Sequence, residues 1–263
     1  MKRVLLKMLT GIMLMTFLFF CHNERGDAAS SNKTLDEDTR IMPHGVIVER
    51  WSSIPKFKKG TVVTLNDYGE VLEGILAEDA YLPYESGISQ DSTRQAAYTP
   101  VPFYVYTNTN STPTERGLSF KGGTKVTFND KGEVIKGTLS SSGQTIILNQ
   151  TTYLKVSNGE ISFHKNGMIA TCSLDRDSYL RPIGWSQILT ENYANNSACA
   201  GFVEFKSEKP MVINEKGEVV KGTVNKDTKL RSEDGIKVYE AGTTVEFDDK
   251  GIAANERKVV NQI

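Results

Sequence analysis

Few side chains in this sequence have the type and spacing that chemistry requires. Beyond residue 28 there are two histidines, His44 and His164, and two cysteines, Cys172 and Cys199. A Ser-His-Asp or Cys-His arrangement would have to use one of those histidines, yet no nucleophile elbow surrounds any Ser or Cys. Paired carboxylates can hydrolyse a glycoside without any motif. Asp79, Asp177 and Asp227 recur at matching positions, but recurrence beside a turn is what a structural role predicts. The clusters Asn66-Asp67, Asn129-Asp130, Asn214-Glu215 and Asp248-Asp249 hold oxygen ligands, but they lack the alternating ladder of a calcium loop. Turn chemistry accounts for them, so no metal and no cofactor is expected. The residues point to a non-catalytic protein. The alternative is a glycan or cell-wall hydrolase using carboxylates such as Glu85 or Glu191.

The elements that position these residues come from a pattern seen five times, centred on Gly69, Gly132, Gly167, Gly217 and Gly251. It is clearest from Gly123 to Leu139 and returns from Gly60 to Leu76 and from Glu208 to Val224. Four residues before each glycine stands Leu65, Phe128, Phe163, Ile213 or Phe247, and six before stands Val63, Val126, Ile161, Met211 or Val245. Residues two apart share one face of a strand, so each pair marks a buried face with polar residues between. The turns read Asn66-Asp67-Tyr68-Gly69, Asn129-Asp130-Lys131-Gly132, His164-Lys165-Asn166-Gly167, Asn214-Glu215-Lys216-Gly217 and Asp248-Asp249-Lys250-Gly251. Short polar side chains favour the turn, and Gly supplies the positive φ that closes a bulged hairpin.

After the turn, the third, fifth and seventh residues are expected to face inward, as in Ile135-Gly137-Leu139, Val220-Gly222-Val224 and Leu72-Gly74-Leu76. A glycine on a buried face needs an aromatic to fill its gap, and Phe128, Phe163 and Phe247 are the candidates. Asp79 with Leu82, Asp177 with Leu180, and Asp227 with Leu230 mark a further strand. The fold class is therefore all-β: repetitive antiparallel hairpins forming an extended open sheet or solenoid, about five units of roughly 34 residues sharing one core.

The glycine spacings are 35 residues from Gly132 and 34 from Gly217, but 63 from Gly69 and 50 from Gly167. The long gaps hold inserts, from about Pro83 to Ser119 and from about Pro182 to Val203. Long loops on a repetitive scaffold are where binding is placed. The inserts concentrate aromatics with polar handles, which suit sugar or peptide surfaces. Tyr84, Tyr98, Tyr104, Tyr106, Trp185 and Tyr193 are the candidate ligand-binding residues. The competing reading is that they cover the ends and faces of the sheet. Gly45 to Trp51 reads as an opening cap strand. The periodic hairpins start only after Ser30, so the ordered chain is expected to start near residue 40.

The hairpin from Phe120-Lys121-Gly122-Gly123-Thr124 through Gly132-Glu133-Val134-Ile135-Lys136-Gly137-Thr138-Leu139 resembles the MORN-type repeats, in which short strands and glycines alternate in an extended open sheet. The resemblance covers the hairpin part of each copy and not the inserts. It implies a scaffold or interaction surface.

The N-terminus reads as a signal peptide over residues 1–28, with the single β-repeat domain occupying 29–263. Lys2 and Arg3 precede an apolar run of 14 residues from Met8 to Cys21, and Gly26-Asp27-Ala28 supplies small residues for cleavage. The run is shorter than the roughly 20 residues of a membrane span. Cys21 is a candidate lipid anchor, ranked below simple export because Phe19 and Phe20 precede it. The domain then holds 27 basic and 30 acidic side chains, a balance that gives no case for nucleic acid or anionic membrane. An envelope protein or glycan is the expected partner, and the open sheet edges add edge-to-edge self-association. In an oxidising compartment Cys172 and Cys199 are expected to pair, pinning the second insert to the scaffold; two buried thiols are the alternative.

Overall fold

The structure, a computed structural model, describes residues 30–45, 54–84, 117–147, 153–185 and 201–255. Among them there is no α-helix, and 21 strands follow one another in four-strand units. The strands that enter the glycine turns are β4 (Val62–Leu65), β8 (Lys125–Phe128), β12 (Gly159–Phe163), β16 (Pro210–Ile213) and β20 (Thr244–Phe247). Those that leave are β5 (Val71–Ile75), β9 (Val134–Leu139), β13 (Ile169–Ser173), β17 (Val219–Thr223) and β21 (Ala253–Asn255). With β1 (Ser31–Thr34) they form the path β1-β4-β5-β8-β9-β12-β13-β16-β17-β20-β21 of a 13-stranded antiparallel sheet. The expected open sheet is thus the structure found.

Between consecutive units lie five further hairpins. They pair β2 (Thr39–Arg40) with β3 (Lys56–Phe57), β6 (Ala80–Pro83) with β7 (Gly117–Phe120), β10 (Gln144–Ile147) with β11 (Tyr153–Val156), β14 (Ser178–Leu180) with β15 (Val203–Phe205), and β18 (Thr228–Ser232) with β19 (Gly235–Tyr239). Each lays an apolar residue onto the buried face of the sheet, giving two layers with one core between them. The inserts are the tips of the β6–β7 and β14–β15 hairpins, so Pro83 and Gly117–Ser119 are strand residues and not part of a loop.

Two expectations about the inward face are corrected. Every fully described glycine hairpin but the last carries a register shift, as where Thr64 faces Glu73 but Leu65 faces Val71. The extra residue is Leu72, Ile135, Ala170 or Val220; the bulge turns it out of the core, and its predecessor, Val71, Val134, Ile169 or Val219, is fully buried instead. The gaps over the glycines are also filled differently. A Cβ on Gly74, Gly137 or Gly222 would lie 2.7, 2.6 or 2.7 Å from the ring of Phe57, Phe120 or Phe205. The fillers come from the second layer stacked above, while Phe128 and Phe247 buttress Phe57 and Phe205 edge-on at 6.4 Å. In the third unit Cys172 occupies the glycine position and Val156 the phenylalanine position: the larger residue below is matched by a smaller one above.

The recurrent Asp residues join unit to unit. Asp38, Asp79, Asp177 and Asp227 each accept a hydrogen bond from a backbone N–H of the following unit, at Lys59, Gly122, Ser207 and Ala241, over 2.7–2.9 Å. In the remaining joint Asn158 N–H donates to Ser142 Oγ at 3.1 Å. These bonds hold the Asp177 carboxyl below its ordinary range, through Ser207 N–H and then Ser207 Oγ–H. Asp38 shows that the repeat starts earlier than residue 40, with a half-unit from β1 whose Leu35 is buried like Leu76. The expected cap strand from Gly45 to Trp51 lies, after Gly45, outside the described residues.

Candidate functional site: the turn edge

Each glycine turn is closed by its own side chains. Asn66, Asn129 and Asn214 accept from two backbone N–H groups through Oδ1 and donate from Nδ2 to Glu70, Glu133 and Glu218 at 2.7, 3.0 and 2.9 Å. Asp248 takes the same two N–H bonds in the last unit. One oxygen of each of these turns is thereby committed to backbone, and among the described residues no group of three or more His, Cys, Asp or Glu is placed to hold a metal.

The segments leaving the second-layer hairpins run back along this row of turns. Pro43, Tyr84 and Pro182 pair in parallel with Val71, Val134 and Val219, each two residues past a turn glycine. Two continue to the next turn: a Cβ on Gly45 would lie 2.0 Å from Asp130 O, and one on Gly184 would lie 2.3 Å from Gly251 N. Backbone approach this close admits only glycine. The chain between 41 and 55, the first insert and the second insert therefore all start at one edge of the sheet, that of the turns.

Two side-chain clusters fix these departures. His44 Nδ1 lies 2.8 Å from Glu70 Oε2 and 2.7 Å from Asn66 Nδ2. The tautomer that fits an ionised Glu70 carries its proton on Nδ1 and donates it to the carboxylate. His44, then Asn66, hold the Glu70 carboxyl below its ordinary range. At the second insert the Arg181 guanidinium lies 3.8 Å from the Trp185 ring centroid and 4.5 Å from that of Phe202, so the residues entering and leaving the insert are joined across its neck. Burial pushes the Arg181 pKa down from its ordinary value.

The candidate ligand residues separate accordingly. Tyr84 is only 2 % exposed and its ring stacks on Phe163 with centroids 5.0 Å apart, so it belongs to the core and does not face a ligand. Trp185 is half-buried and its ring is engaged by Arg181. Tyr98, Tyr104, Tyr106 and Tyr193 lie outside the described residues, as does Cys199. Cys172 is buried without a disulfide among the described residues, and burial pushes its thiol up to about 12.

Sequence reasoning missed Tyr68, which stands at the turn edge with 84 % of its surface exposed. The signal was available: the same position holds Lys131, Asn166, Lys216 and Lys250 in the other turns. An exposed aromatic replaces a solvated polar side chain beside the departing loops. His164, by contrast, is a turn residue whose Nε2 lies 2.8 Å from Ile213 O. Among the described residues no helix is long and apolar enough to cross a membrane. No family model, curated protein or solved structure matches the chain.

Proposed function

We propose that the chain is an exported, non-catalytic β-repeat protein that serves as a binding or structural module of the cell envelope, with its ligand surface along the turn edge. One observation carries this reading. Three long connections leave the sheet beside the first, second and fourth turns, whereas the β10–β11 and β18–β19 hairpins close with short connections on the same scaffold. A rigid repeat that gathers its variable loops on one edge is the usual arrangement of a binding surface.

Three further features support it. The inserts hold Tyr98, Tyr104, Tyr106 and Tyr193, and Tyr68 adds an exposed ring on the same edge. The resemblance to MORN-type repeats implies a scaffold role. The charged start, apolar run and small residues of 1–28 support export, with the Cys172–Cys199 pair as a second tether of the second insert. The partner is an envelope protein or a glycan.

The test is capture from envelope extract by the immobilised mature chain, with sedimentation on purified peptidoglycan alongside and intact-mass measurement of the secreted form. A reproducible, saturable partner and a chain lacking residues 1–28 are the expected results. Full-length protein in the cytosol, or turnover of a bound glycan that stops on replacing Glu85 or Glu191, would overturn the proposal.

A further inference from the structure

The five glycine turns are internal controls for one another. In the second, fourth and fifth, an exposed carboxylate at the second position is followed at once by a lysine: Asp130-Lys131, Glu215-Lys216 and Asp249-Lys250. The third turn has neither in those positions, which hold Lys165 and Asn166. Carboxylate and following cation thus come and go together, as the attraction of opposite charges on an exposed turn would make them. The first turn breaks the rule: Asp67 keeps the carboxylate, and Tyr68 stands where its lysine would be.

That turn is built to hold negative charge. Asn66 Oδ1 accepts from Tyr68 N–H and Glu70 N–H at 3.0 Å each, and its Nδ2 lies 2.7 Å from both Glu70 Oε2 and His44 Nδ1. His44 first, then Asn66, keep the Glu70 carboxyl ionised below its ordinary range, and both act on the same oxygen, Oε2. Tyr68 adds the electron-rich face of an aromatic ring, with 84 % of the residue exposed. The same hairpin also differs on its outward face. Val62, 53 % exposed, and Ile75 are aliphatic, where units two to four place Lys125 with Thr138, Glu160 with Ser173 and Pro210 with Thr223.

We propose that the first turn takes a lysine or arginine side chain of a partner polypeptide, which brings to Tyr68, Asp67 and Glu70 the cation that three other turns carry themselves. The aromatic face attracts an ammonium or guanidinium group, and the carboxylates add charge-assisted hydrogen bonds. Val62 and Ile75 favour a polypeptide over an amino sugar, because aliphatic side chains offer contact area to apolar residues and no hydrogen bond to a hydroxyl group. The inference rests on the assignment of recognition to the turn edge. It narrows the partner from an envelope protein or glycan to a protein with an exposed basic residue flanked by apolar ones.

The probe is fluorescein-labelled Gly-Val-Arg-Val-Gly, added to the mature full-length protein and followed by anisotropy, with Gly-Val-Gln-Val-Gly and a labelled glucosamine oligomer alongside. Saturable binding of the arginine peptide is expected, about tenfold or more tighter than that of the glutamine peptide and weakened by salt. Tyr68→Lys puts the repeat's own cation into the site, at an exposed position that holds lysine in three other turns, so the chain still folds. It should bind the arginine peptide about tenfold or more weakly than Tyr68→Phe, which keeps the ring. Lys131→Ala, in the second turn, should leave binding unchanged. No binding, equal binding of the two peptides, tighter binding of the glucosamine oligomer, or equal binding by Tyr68→Lys and Tyr68→Phe would overturn the proposal. Failure of the peptides, with envelope capture still lost in Tyr68→Ala, would leave the turn edge standing and remove only this inference; peptide selectivity with no envelope capture would do the reverse.

Discussion

At the scale of single residues, the contact between a small residue below and a large one above sets the packing of every unit. Gly137→Cys places a thiol against the Phe120 ring, an overpacking cost of about 1–3 kcal/mol, whereas Phe120→Val opens a cavity. Together they recreate the Cys172–Val156 pair, so the double variant should be more stable than the sum of its parts by more than about 1 kcal/mol in denaturant melts. The exchange was not legible beforehand, because the filler lies in another layer and sequence spacing does not show which layer covers a glycine. Cys172 itself should resist alkylation at pH 8 in a folded Cys199→Ser chain, its thiol being held up to about 12. Rapid labelling without unfolding would contradict its burial. The lowered pKa values of Asp177, bonded to Ser207, and Glu70, bonded to His44, set the sign of the acid response. Each folded-state pKa lies below its unfolded value, so the stabilisation is complete above the ordinary carboxylate range. It is lost as pH falls below about 4 through the folded values. Asp177→Asn with Glu70→Gln should flatten the fall of melting temperature with acid over that window.

At the scale of elements, the glycine turns were readable because their determinants are local: an Asn, Asp or His, two residues, then a Gly at positive φ. Gly132 has φ of 76°, so Gly132→Val should cost about 1–3 kcal/mol through backbone strain, while Lys131→Ala, exposed at the turn, should be nearly neutral. Equal melting temperatures would remove the turn assignment. The bulge was not readable. Leu72, Ile135 and Val220 are apolar, and only the paired backbone reveals that the register shifts beside them and buries Val71, Val134 and Val219 instead. The opening half-unit was missed because β1 has no turn glycine, although Leu35-x-x-Asp38-x-x-Ile41 repeats Leu76-x-x-Asp79-x-x-Leu82. The Asp ladder was visible as recurrence, and its structural role follows from the bonds it makes to the next unit.

At the scale of the whole molecule, a local hairpin pattern extends into a long sheet because each unit pairs mainly with its neighbours. The second layer gives that sheet a core, and its hairpin tips decide where long loops can leave. Sequence spacing placed the inserts at about Pro83 to Ser119 and Pro182 to Val203, and the ends Pro83 and Gly117–Ser119 of the first belong to strands. It could not show that Tyr84 turns inward onto Phe163, nor that Trp185 is taken up by Arg181, since both depend on contacts between units or across the insert's neck. The central claim is that recognition belongs to the turn edge and not to the solvated face of the sheet. Capture of the envelope partner should therefore be compared for Tyr68→Ala with Tyr98→Ala and for Lys136→Ala with Lys221→Ala, all in chains with unchanged melting temperature. The account predicts loss of capture in the first pair and retention in the second; loss in the second pair with retention in the first would contradict it.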